Sequence, residues 1–345
     1  MTGITRGRPA ARLLAIAILL VALLSDFLSP VPPDLLGLNQ FFAPPSRIHF
    51  VDAQGNFHWR PFIYGTELVD LQEARYRQRS EQVYPLVLFS EGYPYRLFGL
   101  IPASRHLFGI GAAGSFHLWG TDSLGRDVWA RTLAGARNSL LVLLLGLALY
   151  LVLGAAVGAC AGLAGGWTDA VLMRFSEFVL ALPALYLVLA LRAILPPQMP
   201  FWQASFLTAA TIASVTWPPM ARGIRGLILQ TRYACYVDAA RAMGASPGHI
   251  FRRHMLPAVA PFALAQMVAA APLFILGDVI LSFLKMGYQS SSGSWGAMLQ
   301  GLMQDPRVLT DFWWNMAPLG FVFLTLLCLN NFSRHPQAKA PSQLA

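Results

Sequence analysis

Side chains able to do acid–base, nucleophilic or metal chemistry are few in this sequence, and their spacing assembles no site. No nucleophile–base pair or metal-ligand cluster lies in the long apolar stretches of the sequence, so we assign no catalytic residue. Four histidines share the region 31–133 but lack the i, i+4 or short-loop spacing of a ligand set, and we predict that they are scattered on the surface: His49, His58, His106 and His117. No CxxC pair occurs among Cys160, Cys235 and Cys328. Neither a zinc site nor a structural disulfide is indicated.

Nucleotide and nucleic-acid chemistry are also not indicated. The sequence has no Gly-x4-Gly-Lys-Ser/Thr loop, so the chain itself should not bind ATP. The net charge is +9, but its arginines concentrate before the first apolar run and in the loop 223–257. Both positions fit segments retained in the cytoplasm, and no basic patch with interleaved aromatics points to a nucleic acid.

Charges inside apolar segments are the remaining candidates, because a charge at mid-bilayer is costly and often marks a pathway. Arg174 and Glu177 have i, i+3 spacing, which favours a helix pair or interfacial snorkelling over a pathway role. For Asp278, pathway lining and interhelical structure are equally supported. Lys285 at the end of the same segment is expected to snorkel.

The elements that must position these residues are apolar helices. Hydrophobic residues make up 56% of the chain and charged residues only 12%. The stretches 138–168, 193–221, 255–277 and 312–333 contain no charged side chain. Each exceeds the roughly 20 residues that a helix needs to cross a bilayer, and only helices satisfy their own backbone there. Buried helices of a soluble protein would need shorter runs with polar faces.

Six spans are predicted, at about 11–29, 137–163, 170–194, 201–222, 258–284 and 312–333. The first could pass for a signal peptide, but no A-x-A-like cleavage site follows it, so we expect an anchor helix. With a cytoplasmic N-terminus, six crossings place the arginine-rich loop and the C-terminus in the cytoplasm. The glycines of span two, from Gly154 to Gly166, predict close helix packing.

The long polar region 31–133 should form a small folded domain outside the cytoplasm. Residues 48–52 and 57–60 flank Ala53-Gln54-Gly55-Asn56, which predicts a hairpin. The polar stretch 70–82 predicts a short helix.

The stretch 236–257 has the pattern of two short helices. Tyr236 to Met243 forms the first, and Gly244 ends it because glycine accepts the left-handed conformation. Ser246 caps the second, Pro247 lies in its first turn, and Leu256-Pro257 should close it. Such a cytoplasmic element suits either a partner-docking site or an ordinary connector.

This stretch resembles the E-A-A-x3-G-x9-I-x-L-P loop of membrane subunits of binding-protein-dependent ABC importers. Five positions match and Asp238 replaces the usual Glu; the matches are Ala239, Ala240, Gly244, Leu256 and Pro257. A second block, residues 120–131, is similar to the G-T-D-x-L-G-R-D-V motif of the dipeptide/oligopeptide branch; its matching residues are Gly120, Thr121, Asp122, Gly125, Arg126 and Asp127. Residues 165–183, then Ser282-Phe283-Leu284 and Ser294-Trp295-Gly296, follow in the same order.

The resemblance implies an all-α, six-helix type I importer permease with an extracytoplasmic domain inserted after the first helix. It implies a non-catalytic subunit that pairs with a second permease, one or two ABC ATPases and an extracytoplasmic substrate-binding protein. ATP and Mg²⁺ would be held by the ATPases, with no cofactor on this chain. The expected location is the cell inner membrane, multi-pass, with both termini cytoplasmic and lipid around the helices.

Departures from the branch bear on cargo. Lys285-Met286 stand where Gly-Leu is usual, His254 fills a usually apolar position, and the charged C-terminal motif is missing. We predict that the cargo is a di- or oligopeptide. The alternative cargo is a nickel chelate or an oligosaccharide, and a secondary transporter is the less favoured class. The expected segments are the N-terminus and first helix (1–30), the inserted domain (31–133), the five-helix core (134–333) with its loop 223–257, and a cytoplasmic tail (334–345).

Overall fold

The computed structural model describes residues 7–97, 100–111, 115–194, 196, 199–286 and 293–333. The predicted tail 334–345 lies outside these residues. The chain divides into two compact units, Met1–Leu140 with Val279–Thr325 and Leu141–Asp278 with Leu326–Ala345.

Helices account for most of the described chain. In chain order they are α1 (Gly7–Leu23), α2 (Ser25–Leu28), α3 (Val128–Ala164), α4 (Gly166–Ala181), α5 (Ala184–Ile194), α6 (Phe201–Thr216), α7 (Pro218–Arg232), α8 (Cys235–Ala242), α9 (Pro247–Ile250), α10 (Leu256–Phe283), α11 (Trp295–Leu302) and α12 (Ala317–Ser333). A π-helical turn, Phe251–Met255, joins α9 to α10, and two 3₁₀ turns, Pro306–Leu309 and Trp313–Met316, precede α12.

The region between α2 and α3 contains a four-stranded antiparallel sheet in the order β1-β2-β3-β4. Its strands are β1 (His49–Val51), β2 (Phe57–Asp70), β3 (Arg75–Leu97) and β4 (Ile101–Ile110). The expectation of an all-α protein is therefore wrong for this region, although the chain as a whole is mostly helical.

The hairpin predicted around residues 53–56 is confirmed, since β1 and β2 pair across it. The Asp52 carboxylate holds the turn by accepting hydrogen bonds from the backbone N–H groups of Asn56 at 2.8 Å and Gln54 at 3.0 Å, and it lies 2.9 Å from a ring nitrogen of His58. The contact with His58 and these N–H groups lower the pKa of Asp52 to about 2.

The helix predicted over 70–82 is wrong, because these residues form the β2–β3 turn and the start of β3. Residues with helical preference are drawn into the sheet by pairing, with Glu67 opposite Arg77 and Thr66 opposite Gln78. The Tyr76 hydroxyl also donates to the Phe41 carbonyl at 2.8 Å, and burial raises the pKa of this tyrosine to about 12. Tertiary contacts here outweigh local propensity.

Two of the histidines expected on the surface are buried. His106 is 1% exposed, with its ring nitrogens 2.8 Å and 3.1 Å from the backbone carbonyls of Asp26 and Tyr93. His117 is 7% exposed and lies between Asp127 and Gln40. Polar partners distant in sequence make burial of these rings possible, and spacing alone does not reveal them.

Within the described residues, three helices are long and apolar enough to cross a membrane, or four if one bent pair forms a single span. The three are 128–164, 247–283 and 313–331, and the bent pair is α4 with α5, which meet at 93°. The bend falls at Leu182-Pro183, where proline disfavours helical continuation.

The count of six spans is thus not confirmed. The segment predicted as 201–222 is divided into α6 and α7 at Trp217, directly before two prolines that lack N–H donors. The first predicted span is likewise divided, into α1 and the one-turn helix α2.

The close helix packing predicted from the glycines of α3 is present. A Cβ added at Gly158 would lie 2.5 Å from the Ala221 carbonyl oxygen of α7, and one added at Gly162 would lie 2.9 Å from a methyl carbon of Ile228. Small residues therefore let α3 and α7 approach closely.

Candidate functional site

The 120–127 loop is built around the carboxylate of Asp122. One carboxylate oxygen accepts from the backbone N–H of Leu124 at 2.8 Å and of Arg126 at 3.0 Å. The other accepts from the Arg126 guanidinium at 2.8 Å. Arg131 of α3 lies 3.7 Å from the same oxygen as the Arg126 guanidinium, so Asp122 shapes the loop backbone and also pairs with the first turn of α3.

Gly120 and Gly125 are required by the same loop. Both have positive φ values, +68° and +71°, which side-chain-bearing residues rarely adopt. A Cβ at Gly125 would lie 2.1 Å from the Gly37 carbonyl oxygen, and one at Gly120 would lie 2.5 Å from that of Ala43. The segment before the sheet thus lies directly against the loop.

Thr121 joins three segments of the first unit. Its hydroxyl accepts from the Ala43 N–H at 2.7 Å and donates to the Gln40 carbonyl. Its own carbonyl accepts from the Trp314 indole at 3.1 Å, which ties the loop to the turn before α12. The threonine is fully buried, so these bonds are shielded from water.

Asp127 positions the start of α3. One carboxylate oxygen accepts from the Ala130 N–H at 2.7 Å, the geometry of an N-cap, and the other lies 2.8 Å from the Nδ1 atom of His117. A carboxylate at a helix N-terminus is also favoured by the helix dipole. The arrangement anchors a long helix and leaves no oxygen of Asp127 unengaged for general-base chemistry.

The 236–257 element begins with α8, which has one buried and one exposed face. Val237 and Ala240 are buried, whereas Tyr236, Ala239 and Met243 are exposed. Met243 is 82% exposed, which is unusual for a large apolar side chain without a partner. Asp238 pairs with Arg241 at 2.9 Å on the exposed surface.

Gly244 ends α8 as the sequence predicts. Its φ is +84°, its N–H donates to the Arg241 carbonyl at 2.9 Å, and the Ala245 N–H donates to the Ala240 carbonyl at 3.0 Å. This pair of bonds is a Schellman motif, which requires the left-handed conformation at the glycine.

The second part of the element differs from the expectation at its end. Ser246 caps α9 by accepting from the His249 N–H at 3.3 Å, as predicted. Leu256 and Pro257, however, do not close a helix, because α9, the π turn and α10 run on without interruption. A π turn widens the helix just before Pro257, and this widening relieves the clash of a proline ring with the preceding turn.

The candidate pathway residues have different surroundings. Glu177 pairs with Arg174 at 3.0 Å on an exposed helix face, as the i, i+3 spacing favours. Asp278 is 7% exposed near the end of α10 and has an interaction partner within the protein. Lys285 lies just after that helix with a positive φ of 59°.

A contact that sequence reasoning missed joins α4 to α7. The Arg225 guanidinium donates two hydrogen bonds to the Asp169 carboxylate, and Arg232 donates to the Leu163 carbonyl at 3.0 Å. Asp169 belongs to the motif 165–183 of the family resemblance. Arg225 is one of several arginines in the stretch 223–257, and nothing in that stretch marks it as the partner of Asp169. The pair fixes the helix that leads directly into the 236–257 element.

A second missed contact surrounds Trp295, which is 1% exposed. Its indole N–H donates to the Thr132 carbonyl at 2.9 Å, and a Cβ at Gly135 would lie 2.6 Å from its ring.

Among the described side chains, no group of three His, Cys, Asp or Glu residues is arranged to hold a metal ion.

The chain is similar to known membrane transport proteins. Residues 151–333 match the family described as binding-protein-dependent transport system inner membrane component. A dipeptide transport system permease protein of Bacillus subtilis is 35% identical over 215 residues, which cover 62% of this chain and 65% of the relative. A putative peptide permease of Brucella suis is 35% identical over 249 residues, covering 72% and 77%.

An oligopeptide transport system permease protein of Bacillus subtilis is 33% identical over 215 residues, covering 62% of this chain and 68% of the relative. The chain thus spans about two thirds of the length of several of these relatives. The family match covers more than half of the chain and includes the whole 236–257 element. The chain belongs to the family of binding-protein-dependent transport system inner membrane components.

Proposed function

We propose that this chain is one permease subunit of an ATP-driven importer that carries di- and oligopeptides into the cell. With a second permease it would form the pathway through the membrane. The proposal is supported by the family and by relatives described as dipeptide and oligopeptide permeases. The chain would be non-catalytic, with ATP and Mg²⁺ held by one or two partner ATPases and substrate delivered by an extracytoplasmic binding protein.

The observation that carries this proposal is the continuity of residues 247–257 with a membrane-length helix. The exposed part of the 236–257 element presents apolar side chains suited to a protein partner, and the helix runs on to Phe283. A movement imposed on α9 by an ATPase would therefore reach the membrane segment through one continuous helix. Two packings of the helices, each favoured by one nucleotide state, would give alternating access.

Individual residues would have distinct parts in this coupling. Asp238 and Ala239 lie on the exposed face of α8 and would contact the ATPase, while the buried Ala240 keeps that helix against the protein. Gly244 would set the path between the two short helices. Leu256 and Pro257 would transmit the movement at the start of α10.

The remaining candidate residues would act inside the membrane or outside the cytoplasm. Asp278, buried in α10, would face the pathway or a neighbouring helix, and Glu177 would stabilise α4 through Arg174. The 120–127 loop would fix the position of α3 relative to the inserted sheet. We place this sheet outside the cytoplasm and both termini inside, in the cell inner membrane.

Substitution of Gly244 tests the coupling role, with Gly226 of α7 as a matched control outside the 236–257 element. Neither glycine has an atom within 4 Å of an added Cβ, but only Gly244 has a positive φ. Gly244→Val should leave the ATPases bound and active but reduce ATP-driven peptide uptake about tenfold, since the left-handed conformation disfavours Val by ~1–2 kcal/mol or more. Gly226→Val should change uptake by less than about twofold.

The measurement uses the importer purified with its partners and reconstituted in vesicles, with ATP hydrolysis and uptake of a labelled dipeptide followed together. Full uptake in the Gly244 variant would reject the coupling role. Uptake driven by a proton gradient without ATP would reject the importer class.

A further inference from the structure

The sheet divides where β2 and β3 separate. Their pairing runs from Asp70–Arg75 to Phe62–Pro85 and stops there. Beyond this point β3 pairs with β4 instead, beginning at Leu86–Ile110. Prolines 61 and 85 stand at the division, and neither has an N–H to extend the ladder.

The separation leaves two strand edges facing one cleft. Among the described residues, no register pair joins 57–61 of β2 to β3, so residues 86–88 have a strand partner only on their β4 side. An edge of this kind presents backbone N–H and C=O groups that another extended chain can pair with.

The cleft between the two segments has a volume of about 600 Å³ and a mainly apolar wall. It is bounded by residues 59–61 and 86–88 and by Phe108 and Phe116, whose rings meet edge to face at 5.8 Å. The volume lies within the ~300–1,000 Å³ usual for ligand pockets.

Two further properties suggest an occupant. Trp59 is 89% exposed and Leu88 is 72% exposed, so large apolar side chains at the cleft face solvent. Arg60 lies at the same cleft, and within the described part of the chain no ion pair involves it. An unpaired guanidinium beside an apolar wall is suited to a carboxylate carried on an apolar body.

We propose that this cleft binds an extended apolar peptide. The peptide backbone pairs with the open edge at residues 86–88, its side chains contact the apolar wall, and its terminal carboxylate contacts Arg60. Addition of a strand to an open edge is a general mode of peptide recognition. A lipid chain would use the apolar wall but would gain nothing from the strand edge, which is why a peptide is the occupant favoured here.

The conclusion that the bound peptide is cargo rests on the proposed function. The existence of the binding site does not depend on that function. On this view the inserted sheet receives short peptides before they enter the pathway. Arg60 is then a specificity-determining residue that selects a free carboxyl terminus.

The test is direct binding to the full chain in nanodiscs of neutral phosphatidylcholine. The probe is Val-Leu-Val-Phe with an N-terminal fluorophore and a free carboxyl terminus, followed by fluorescence anisotropy. Amidation of the terminus should weaken binding about tenfold, as should Arg60→Gln, because each removes one charge-assisted contact. Arg60→Gln should have no further effect on the amidated peptide.

Arg96→Gln is the matched control, since Arg96 is an exposed arginine of β3 that lies away from the cleft. It should leave binding within about twofold of the wild type. A backbone N-methylated probe should bind much more weakly than the parent peptide, and this loss does not depend on the folding of any variant.

Two results would overturn the site: no saturable binding, or equal binding of the N-methylated probe. ATP-driven uptake by the assembled importer is measured in parallel. Normal uptake without cleft binding rejects the site alone, whereas cleft binding without any ATP-driven uptake rejects the importer proposal alone.

Discussion

Single residues of the 120–127 loop act on backbone geometry. Asp122 and Asp127 use their carboxylates to hold N–H groups, and Gly120 and Gly125 allow close contact with the segment before the sheet. Such residues have the composition of a catalytic site but the bonding of a structural one. The types and order of its residues are enough to recognise the loop. Only the hydrogen bonds show that its carboxylates are structural.

Gly125→Ala should destabilise the protein more than Gly55→Ala. Both glycines have a positive φ, but only Gly125 also lies against a backbone oxygen, whereas nothing is within 4 Å of Gly55. We expect a loss of ~1–2 kcal/mol for Gly55→Ala and a further ~1–3 kcal/mol for Gly125→Ala. Thermal unfolding of the detergent-solubilised protein, followed by tryptophan emission, measures the difference. Equal losses would mean that the segment at Gly37 moves aside freely.

At the residue scale, backbone chemistry is the best-predicted part of the chain. The end of α8 at Gly244 and the cap at Ser246 follow from local preference, and both are present. Burial of His106 and His117 could not be predicted, because their partners Asp26, Asp127 and Gln40 lie up to 80 positions away in the sequence.

At the scale of elements, three of the six predicted spans correspond to unbroken membrane-length helices and the hairpin is present, because uncharged length and turn residues are local features of the sequence. The helix predicted over 70–82 is wrong because pairing with another strand, which is not a local feature, decides the structure there. Its polar residues favour a helix in isolation, yet residues 75–79 of β3 each pair with a residue of β2. The broken helices α4–α5 and α6–α7 could be suspected from their prolines, but the 93° bend is a property of the folded chain.

The contact between α3 and α7 gives a prediction for two glycines one turn apart. A Cβ at Gly158 would lie 2.5 Å from the Ala221 carbonyl oxygen, and one at Gly154 would lie 2.6 Å from the Cβ of the fully buried Met220. Gly158→Ala should therefore cost ~1–3 kcal/mol, because a helix backbone must shift. Gly154→Ala should cost a similar amount, because a change of rotamer does not move the Met220 Cβ.

Thermal unfolding of the two variants in the same detergent measures these losses. The exposed Gly226→Ala serves as a control, with no atom within 4 Å of its added Cβ. Losses at Gly154 and Gly158 no larger than the loss at Gly226 would contradict the helix contact described above.

At the scale of the whole molecule, the proposed topology places the sheet and the 236–257 element on opposite sides of the membrane. Cys235 is exposed at the start of α8, and Ser80 is exposed on β3. In intact cells a membrane-impermeant maleimide should label Ser80→Cys and leave Cys235 unmodified. Permeabilised cells should show labelling at both positions.

Cys235→Ser in the Ser80→Cys background identifies which thiol reacts. Labelling of Cys235 in intact cells would contradict the topology and, with it, contact between α8 and a cytoplasmic ATPase. The result also gives the parity of the crossings between residues 80 and 235, which must be odd if the two positions lie on opposite sides of the membrane.

The ends of the segment that carries the sheet lie side by side. Ser46 and His117 exchange hydrogen bonds of 2.8 Å and 3.1 Å, and Ala43 and Thr121 do the same one step further out at 2.9 Å and 2.7 Å. The chain thus leaves the helical part and returns to it at one point, as through the neck of a loop. Changes in the length of the segment beyond that neck need not alter where it joins the helical part, but they must keep the contact of His106 with the Asp26 carbonyl of α2 and that of Arg307 with the Gln72 carbonyl.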